Sequence, residues 1–418
     1  MIAIRGGEVM TPEGWVGGDV LVEGGRVTGV GTTQAAETEL DATGCLVGPG
    51  FVDLHTHLRE PGQTWKEDIA SGSAAAVAGG FTAVVAMPNT EPPVDSPEAV
   101  DSVLAAGVRA GLVDVIASGA LTKGREGGAP ADIEGMYRVG VRLFTDDGDS
   151  VADDELLGRV MTAIARLPGA LVAQHAEDTS ATTGAHMHEG VMSRKLGVGG
   201  MAAETEADVV RRDLSLVAAT GVRYHCQHVS AMMTIELIRA AKDQGLAVTA
   251  EVTPHHLSFD ESALHELDSD FKMYPPLRSS EDRQALVAAL RDGTVDAVAT
   301  DHAPHLPEEK ATGFANAPRG VIGLETAASA VWEVLGEAQR LFEALSTAPA
   351  RILGLGAHGQ ELAPGSSANL VVFDPGASWI PEMFRSKSSN SPYRGRTMHG
   401  EVRATIRRGE LVYQGGGR

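Results

Sequence analysis

Imidazoles and carboxylates recur in this chain at the ends of short apolar runs. His55 and His57, separated by Thr56, follow FVDL; His175 follows ALVAQ; His228 lies in YHCQHVS; Asp146 and Asp147 follow VRLFT; Asp301 follows VDAVAT. Residues i and i+2 of a strand share a face, so His55 and His57 can converge. Imidazoles with carboxylates suit Zn²⁺ or a related transition metal. The set is larger than one tetrahedral ion uses, which points to a two-metal site with a bridging carboxylate. A water held between two divalent cations loses a proton near neutral pH. Asp301 could bind one metal, take that proton and pass it to a leaving nitrogen, which is the chemistry of amide opening. Arg59, two residues past His57, suits bidentate pairing with a substrate carboxylate. Asn89, in MPNT, can offer an amide to the same carboxylate.

The other histidines carry weaker signals. His225 competes with His228 for one role, and His228, nearer the strand exit, is preferred. His255 and His256 in TPHH are expected to pack or hydrogen-bond. His186-Met187-His188 repeats the HxH spacing with no apolar run before it, so a solvated loop or helix start is expected. His265, His358 and His399 lack a strand-end context and read as surface or packing residues.

These positions need a scaffold that gathers strand ends. Strands are predicted at 51–54, 81–86, 113–118, 141–145, 170–174, 222–226, 247–252 and 295–300, with helices at 66–78, 97–110, 153–166, 204–220, 231–244 and 280–291. Continuous apolar strands alternating with helices imply a parallel sheet covered by helices. Eight such units fit a (β/α)8 TIM barrel, whose catalytic groups sit at the C-terminal strand ends. A doubly wound sheet would place GxGxxG after its first strand, where this chain has HTHLREPG. Residues 1–50 hold short apolar runs cut by glycine pairs, and 369–373 and 401–413, with a turn at Gly409, look alike. The ends are expected to pair into one antiparallel β domain. The predicted division is therefore 1–50 plus 360–418 for that domain and 51–359 for the barrel.

Composition narrows the partners. The chain has 418 residues and a net charge of −22, which disfavours nucleic acid and anionic membranes. Aromatic residues are only 4 %, too few for a base-stacking surface. No run approaches the roughly 20 apolar residues of a membrane span, and the start lacks a secretory pattern. Cys45 and Cys226 cannot make a disulfide framework, so a reducing, cytoplasmic setting is expected.

Two long motifs, DLHTHLREPG (53–62) and ATDHAPHLPEEK (299–310), resemble the paired signatures of the dihydroorotase family of amidohydrolases. MPNT, LFTDDG, HAED, QHVS, EVTPHHL, PPLR, GLET and SKSSNSPYRG extend the resemblance over nearly the whole chain. It implies a metal-dependent barrel flanked by a β-sandwich from both termini, and reversible cyclisation of N-carbamoyl-L-aspartate to dihydroorotate in pyrimidine synthesis. It implies two Zn²⁺ per subunit: His55 and His57 on the first, His175 and His228 on the second, and Asp301 as catalytic base on the first. Asp147, rather than Asp146, matches the bridging aspartate of the bacterial branch, where other amidohydrolases use a carboxylated lysine. Arg59, Asn89 and His305 match substrate contacts, and Tyr274, Arg319 and Gly320 fall on the substrate rim. Tyr274 stands where this branch usually has Asn, and Arg319 where an apolar residue commonly precedes Gly320. Hydantoinase, dihydropyrimidinase and allantoinase are the rival enzymes; Arg59 argues against the first two and the missing lysine against all three. A metal-free dihydroorotase-like subunit scaffolding aspartate transcarbamoylase is the non-catalytic rival, but such subunits lose metal histidines that are all present here. Association with that transcarbamoylase is compatible with an active enzyme, and a homo-oligomer is expected. The stretches 124–130 and 306–318 are lid candidates, the second favoured because it follows Asp301.

Overall fold

The structure, a computed structural model, describes residues 1–415. Eight parallel strands form the barrel: β1 (Phe51–Thr56), β2 (Phe81–Ala86), β3 (Asp114–Ala117), β4 (Leu143–Phe144), β5 (Leu171–Gln174), β6 (Tyr224–Cys226), β7 (Val248–Val252) and β8 (Ala297–Val298). Ladders join them into two arcs, β1-β2-β3 and β4-β5-β6-β7-β8. Two seams close the ring: one bridge joins Gly119 to Phe144, and another joins Thr56 to His302. At these seams the Thr145 N–H donates to the Gly119 carbonyl (2.9 Å) and the His57 N–H to the His302 carbonyl (2.8 Å). The expected barrel is thus present, and its strands fall on the continuous apolar runs.

Helices pack outside it. Helix Pro97–Ala110 starts at an N-cap Ser96 followed by proline and stops at a left-handed Gly111. Helix Ile69–Ala78 begins later than the periodicity suggests, because Asp68 and Ser71 close a capping box there. Asp154–Ala165, Ala203–Thr220, Met232–Asp243 and Ser280–Asp292 lie close to their predicted bounds. The short helix Ile133–Arg138 and the helices of 327–353 are additional to those predicted.

Both ends of the chain contribute to one eight-stranded sheet. It differs from the antiparallel unit expected: Ile2–Thr11 pairs parallel with both Thr38–Asp41 and Leu46–Pro49. Leu370–Trp379 then pairs antiparallel with Leu46–Pro49, which joins the C-terminal strands to the N-terminal ones. Ile4, Val20, Val47, Leu370, Val372 and Ile406 share one core between them. The sheet is tied to the barrel through Asp114, whose carboxylate meets Arg408 (2.9 Å), His358 (3.0 Å) and Arg407.

Candidate metal centre and substrate cavity

Local backbone geometry at the barrel mouth is unusual. Arg59, His228 and Asp301 adopt φ of 57°, 31° and 46°, a region disfavoured for residues other than glycine. Such strain persists only where surroundings over-determine it, and it clusters at functional sites. Here all three residues line one cavity.

Asp147 lies at the centre. One group of potential ligand atoms joins it to His55 and His57, and a second joins it to His175 and His228; within each group the atoms lie within 4.8 Å of one another. All five residues are buried. His55 Nε2 sits 3.0 Å from Asp147 Oδ1, yet it has no hydrogen-bond partner. His175 Nδ1 and His228 Nε2 face each other at 2.8 Å. Asp301 Oδ1 lies 2.9 Å from His57 Nε2. Asp146, by contrast, accepts from the Leu121 and Thr122 N–H groups (2.8 and 3.1 Å) and orders that loop instead.

The far sides of the rings set their tautomers. His55 Nδ1 donates to Glu251 Oε1 (2.8 Å), His57 Nδ1 to Asn89 Oδ1 (2.9 Å), and His175 Nε2 to Glu177 Oε2 (3.3 Å). In each ring the other nitrogen then lies on the Asp147 side, where holding a cation would require it to give up any proton and offer a lone pair. Outer partners of this kind orient metal-binding imidazoles. Several ring nitrogens converging on a shared carboxylate fit divalent cations, and the nitrogen and oxygen donors suit zinc.

Charges in the cluster depend on one another. Burial alone would raise the Asp147 carboxyl, but His55, His57 and His175 hold it well below the usual range. Burial disfavours charge on His55, and Asp147, Glu251 and Asp301 outweigh it, so its pKa is well above normal. Burial, then His175 and His55, push His228 well below normal. Glu251 resists its own burial through His225 and His55 and stands at about 2.

Above the cluster is a cavity of 170 Å³, lined by His57, Arg59, Asn89, Asp147, Gly148, His175, His228, Tyr274, Asp301, Ala303, His305, Arg319 and Gly320. Every substrate-side residue named from sequence is on its wall, with His55 beneath it. The volume is below that of drug-sized sites, so it suits a small molecule. Arg59 has no carboxylate within ion-pair distance among the described residues; its neighbours are the Pro304 carbonyl (3.3 Å) and His305 Nε2 (3.4 Å). Burial draws its pKa down to about 10, against the opposing pull of Asp301 and Asp147. Burial, then Arg59, drive His305 to about 2, so it is neutral. The Arg319 guanidinium stacks 3.9 Å from the centre of the Tyr274 ring, which leans on His175 at 4.9 Å. Asn89 has a second task unforeseen in the sequence: its carbonyl orients His57, and its amide approaches Asp147 Oδ2 (3.4 Å).

The remaining histidines separate cleanly. His225 bonds Thr249 and Glu251, and His256 bonds Thr253 and the Pro275 carbonyl. His358 is buried against Asp114 and Thr82, while His265 and His399 are exposed. The expectation for His186–His188 needs correction. Met187–His188 is a short strand paired with Gly200–Met201, and His188 is buried. Met187, Met192, Leu264 and Phe314 form a small core there that the local sequence did not announce. Glu251 and Glu177 were also missed; a carboxylate inside the apolar run of β7 was the available signal for Glu251. The 306–318 stretch is pinned by buried lysines: Lys272 Nζ donates to the Phe314 and Ala317 carbonyls (both 2.6 Å), and Lys310 Nζ to Pro318 (3.1 Å) and Gly320 (3.0 Å).

Comparison with known proteins places this geometry. Residues 46–412 match the amidohydrolase family. The chain is 43 % identical over 411 residues to the dihydroorotase of Mycobacterium tuberculosis, covering 95 % of each. It is 42 % identical over 429 residues to that of Anaeromyxobacter dehalogenans, covering 100 % of this chain and 98 % of the relative. The solved structure of L-hydantoinase (dihydropyrimidinase) from Arthrobacter aurescens superposes with a TM-score of 0.87 at 25 % identity, covering 100 % of this chain and 96 % of that one. Matched along its length by dihydroorotases and over most of it by the wider family, this chain belongs to the amidohydrolases and, among them, to the dihydroorotases.

Proposed function

We propose that this protein catalyses the reversible cyclisation of N-carbamoyl-L-aspartate to L-dihydroorotate. The observation that carries the reading is an Arg59 guanidinium, with no carboxylate at ion-pair distance among the described residues, on the wall of a small cavity that also holds Asp147. A small anionic amide fits that pairing, and the neutral rings opened by hydantoinases do not need it. His55, His57 and Asp301 would hold one Zn²⁺, His175 and His228 a second, and Asp147 would bridge them. Bound divalent cations would polarise the amide carbonyl and acidify the attacking water.

The residues of the chain do the rest. Arg59, with Asn89 and His305, fixes the carboxylate that the ring retains. Tyr274 and Gly320 shape the wall, and Arg319 adds positive charge at the rim. In the opening direction Asp301 accepts the proton of the attacking water and returns it to the ring nitrogen as the C–N bond breaks. The opened product is a dianion and the ring a monoanion, so closure consumes one proton. Zinc-loaded protein should therefore consume dihydroorotate at alkaline pH and form it from N-carbamoyl-L-aspartate at acidic pH. Zinc-loaded protein that opens hydantoin or dihydrouracil and leaves dihydroorotate intact would overturn the assignment.

A further inference from the structure

The SKSSNSPYRG segment stands far from the barrel in sequence and supplies no wall of the cavity. Its central residue nevertheless touches both loops that do. Asn390 is buried. Its Oδ1 accepts from the backbone N–H of His305 (3.1 Å). Its Nδ2 donates to the carbonyls of Ala303 and Gly320 (3.1 Å each), and its own carbonyl accepts from the Ile322 N–H (2.9 Å). Ala303 and His305 leave β8, whereas Gly320 comes from the far end of the pinned 306–318 stretch. One amide therefore clasps the start and end of the excursion that presents His305, Arg319 and Gly320.

The rest of the segment fastens this clasp to the barrel. The Ser388 hydroxyl donates to the Lys66 carbonyl (2.9 Å), and the Tyr393 hydroxyl bonds Ser258 (3.0 Å). Gly320 cannot take up the load by itself. Its φ is +121°, and an added Cβ would lie 2.6 Å from that of Ala303. Its carbonyl is shared by Lys310 Nζ (3.0 Å) and Asn390 Nδ2 (3.1 Å), and of the two side chains Asn390 is the one that also bonds Ala303 and His305.

We infer that Asn390 is a positioning residue for carboxylate recognition: it sets the spacing between His305 and Gly320 without touching substrate. The inference rests on the proposed function, and it assigns the C-terminal segment a share in substrate affinity. The chemistry of the clasp makes it specific. Aspartate can still accept from His305 but turns a carboxylate toward two carbonyl oxygens, so it should open the clasp rather than merely loosen it.

The test compares zinc-loaded wild type, Asn390→Asp, Asn390→Ala and Arg394→Ala. Both Asn390 variants should retain zinc and raise KM for dihydroorotate about tenfold, with kcat changed less, the size expected for losing hydrogen bonds to buried polar groups. Affinity for orotate, which keeps ring and carboxylate but whose ring double bond conjugates the amide and guards it against opening, should fall in parallel. Arg394→Ala, an exposed position of the same segment outside the clasp, should keep wild-type KM. Should the variants fail to fold, the wild type still answers: orotate binding should slow hydrogen exchange in 386–392, and unaltered exchange there overturns the inference. Folded Asn390 variants with wild-type KM and orotate affinity also overturn it, while a wild type inactive on dihydroorotate fails the functional proposal instead.

Discussion

Arg59 holds a positive charge that no carboxylate of the described chain neutralises at ion-pair distance. Leaving a substrate carboxylate without this partner removes a charge-assisted contact worth about 1.5–3 kcal/mol. Arg59→Ala should therefore lower kcat/KM for dihydroorotate by roughly 10- to 150-fold with zinc content intact; unchanged kinetics would remove Arg59 from the site. Arg319 differs because its side chain stacks on Tyr274 and donates to the Ala185 carbonyl (2.8 Å). Extra charge at the rim favours the open dianion over the ring. Arg319→Leu should raise KM more for N-carbamoyl-L-aspartate than for dihydroorotate. One transition state serves both directions, so kcat/KM must fall by the same factor in each. Steady-state kinetics run both ways checks both statements.

At the scale of elements, the barrel was legible because its strands are largely apolar runs, several of them ending in an imidazole or a carboxylate. His55, His57, His175, His228, Asp147 and Asp301 announced themselves at those exits. Glu251 did not, because it acts from within β7 and not from a strand end. Asn390 and Glu177 were hidden for another reason: each works through a partner whose proximity only the folded chain reveals. The parallel pairing of Ile2–Thr11 was illegible too, since alternation fixes a strand's faces and not its neighbour's direction. Glu251 offers a direct check on the outer partners. Glu251→Gln removes the carboxylate that fixes His55 and should weaken zinc affinity about 10- to 100-fold, measured by chelator competition.

For the whole molecule, Asp114 is where the terminal sheet meets the barrel. Burial would raise its pKa, but His358 and Arg407 hold it below the ordinary aspartate value. A carboxyl whose folded pKa is depressed stabilises fully above the unfolded value, about 4, and loses that contribution as pH falls through the folded value. Melting curves across pH should show wild type above Asp114→Asn near neutrality, with the gap closing as the pH drops below about 4. A gap that stays constant into acid would place the effect elsewhere.

The two seams that close the barrel have a consequence for its mechanics. His55 and His57 leave one arc, while Asp147, His175, His228 and Asp301 leave the other. The cluster thus spans two curved halves whose backbones meet in one isolated bridge at each seam, where the barrel's other neighbouring strands share ladders. Cations held there would act as a rivet through the rim. Stripping zinc with a chelator should speed exchange of the His57 and Thr145 amides, which sit on the seams, far more than amides within the ladders of either arc. In this molecule the ions that serve the chemistry would also keep the ring shut.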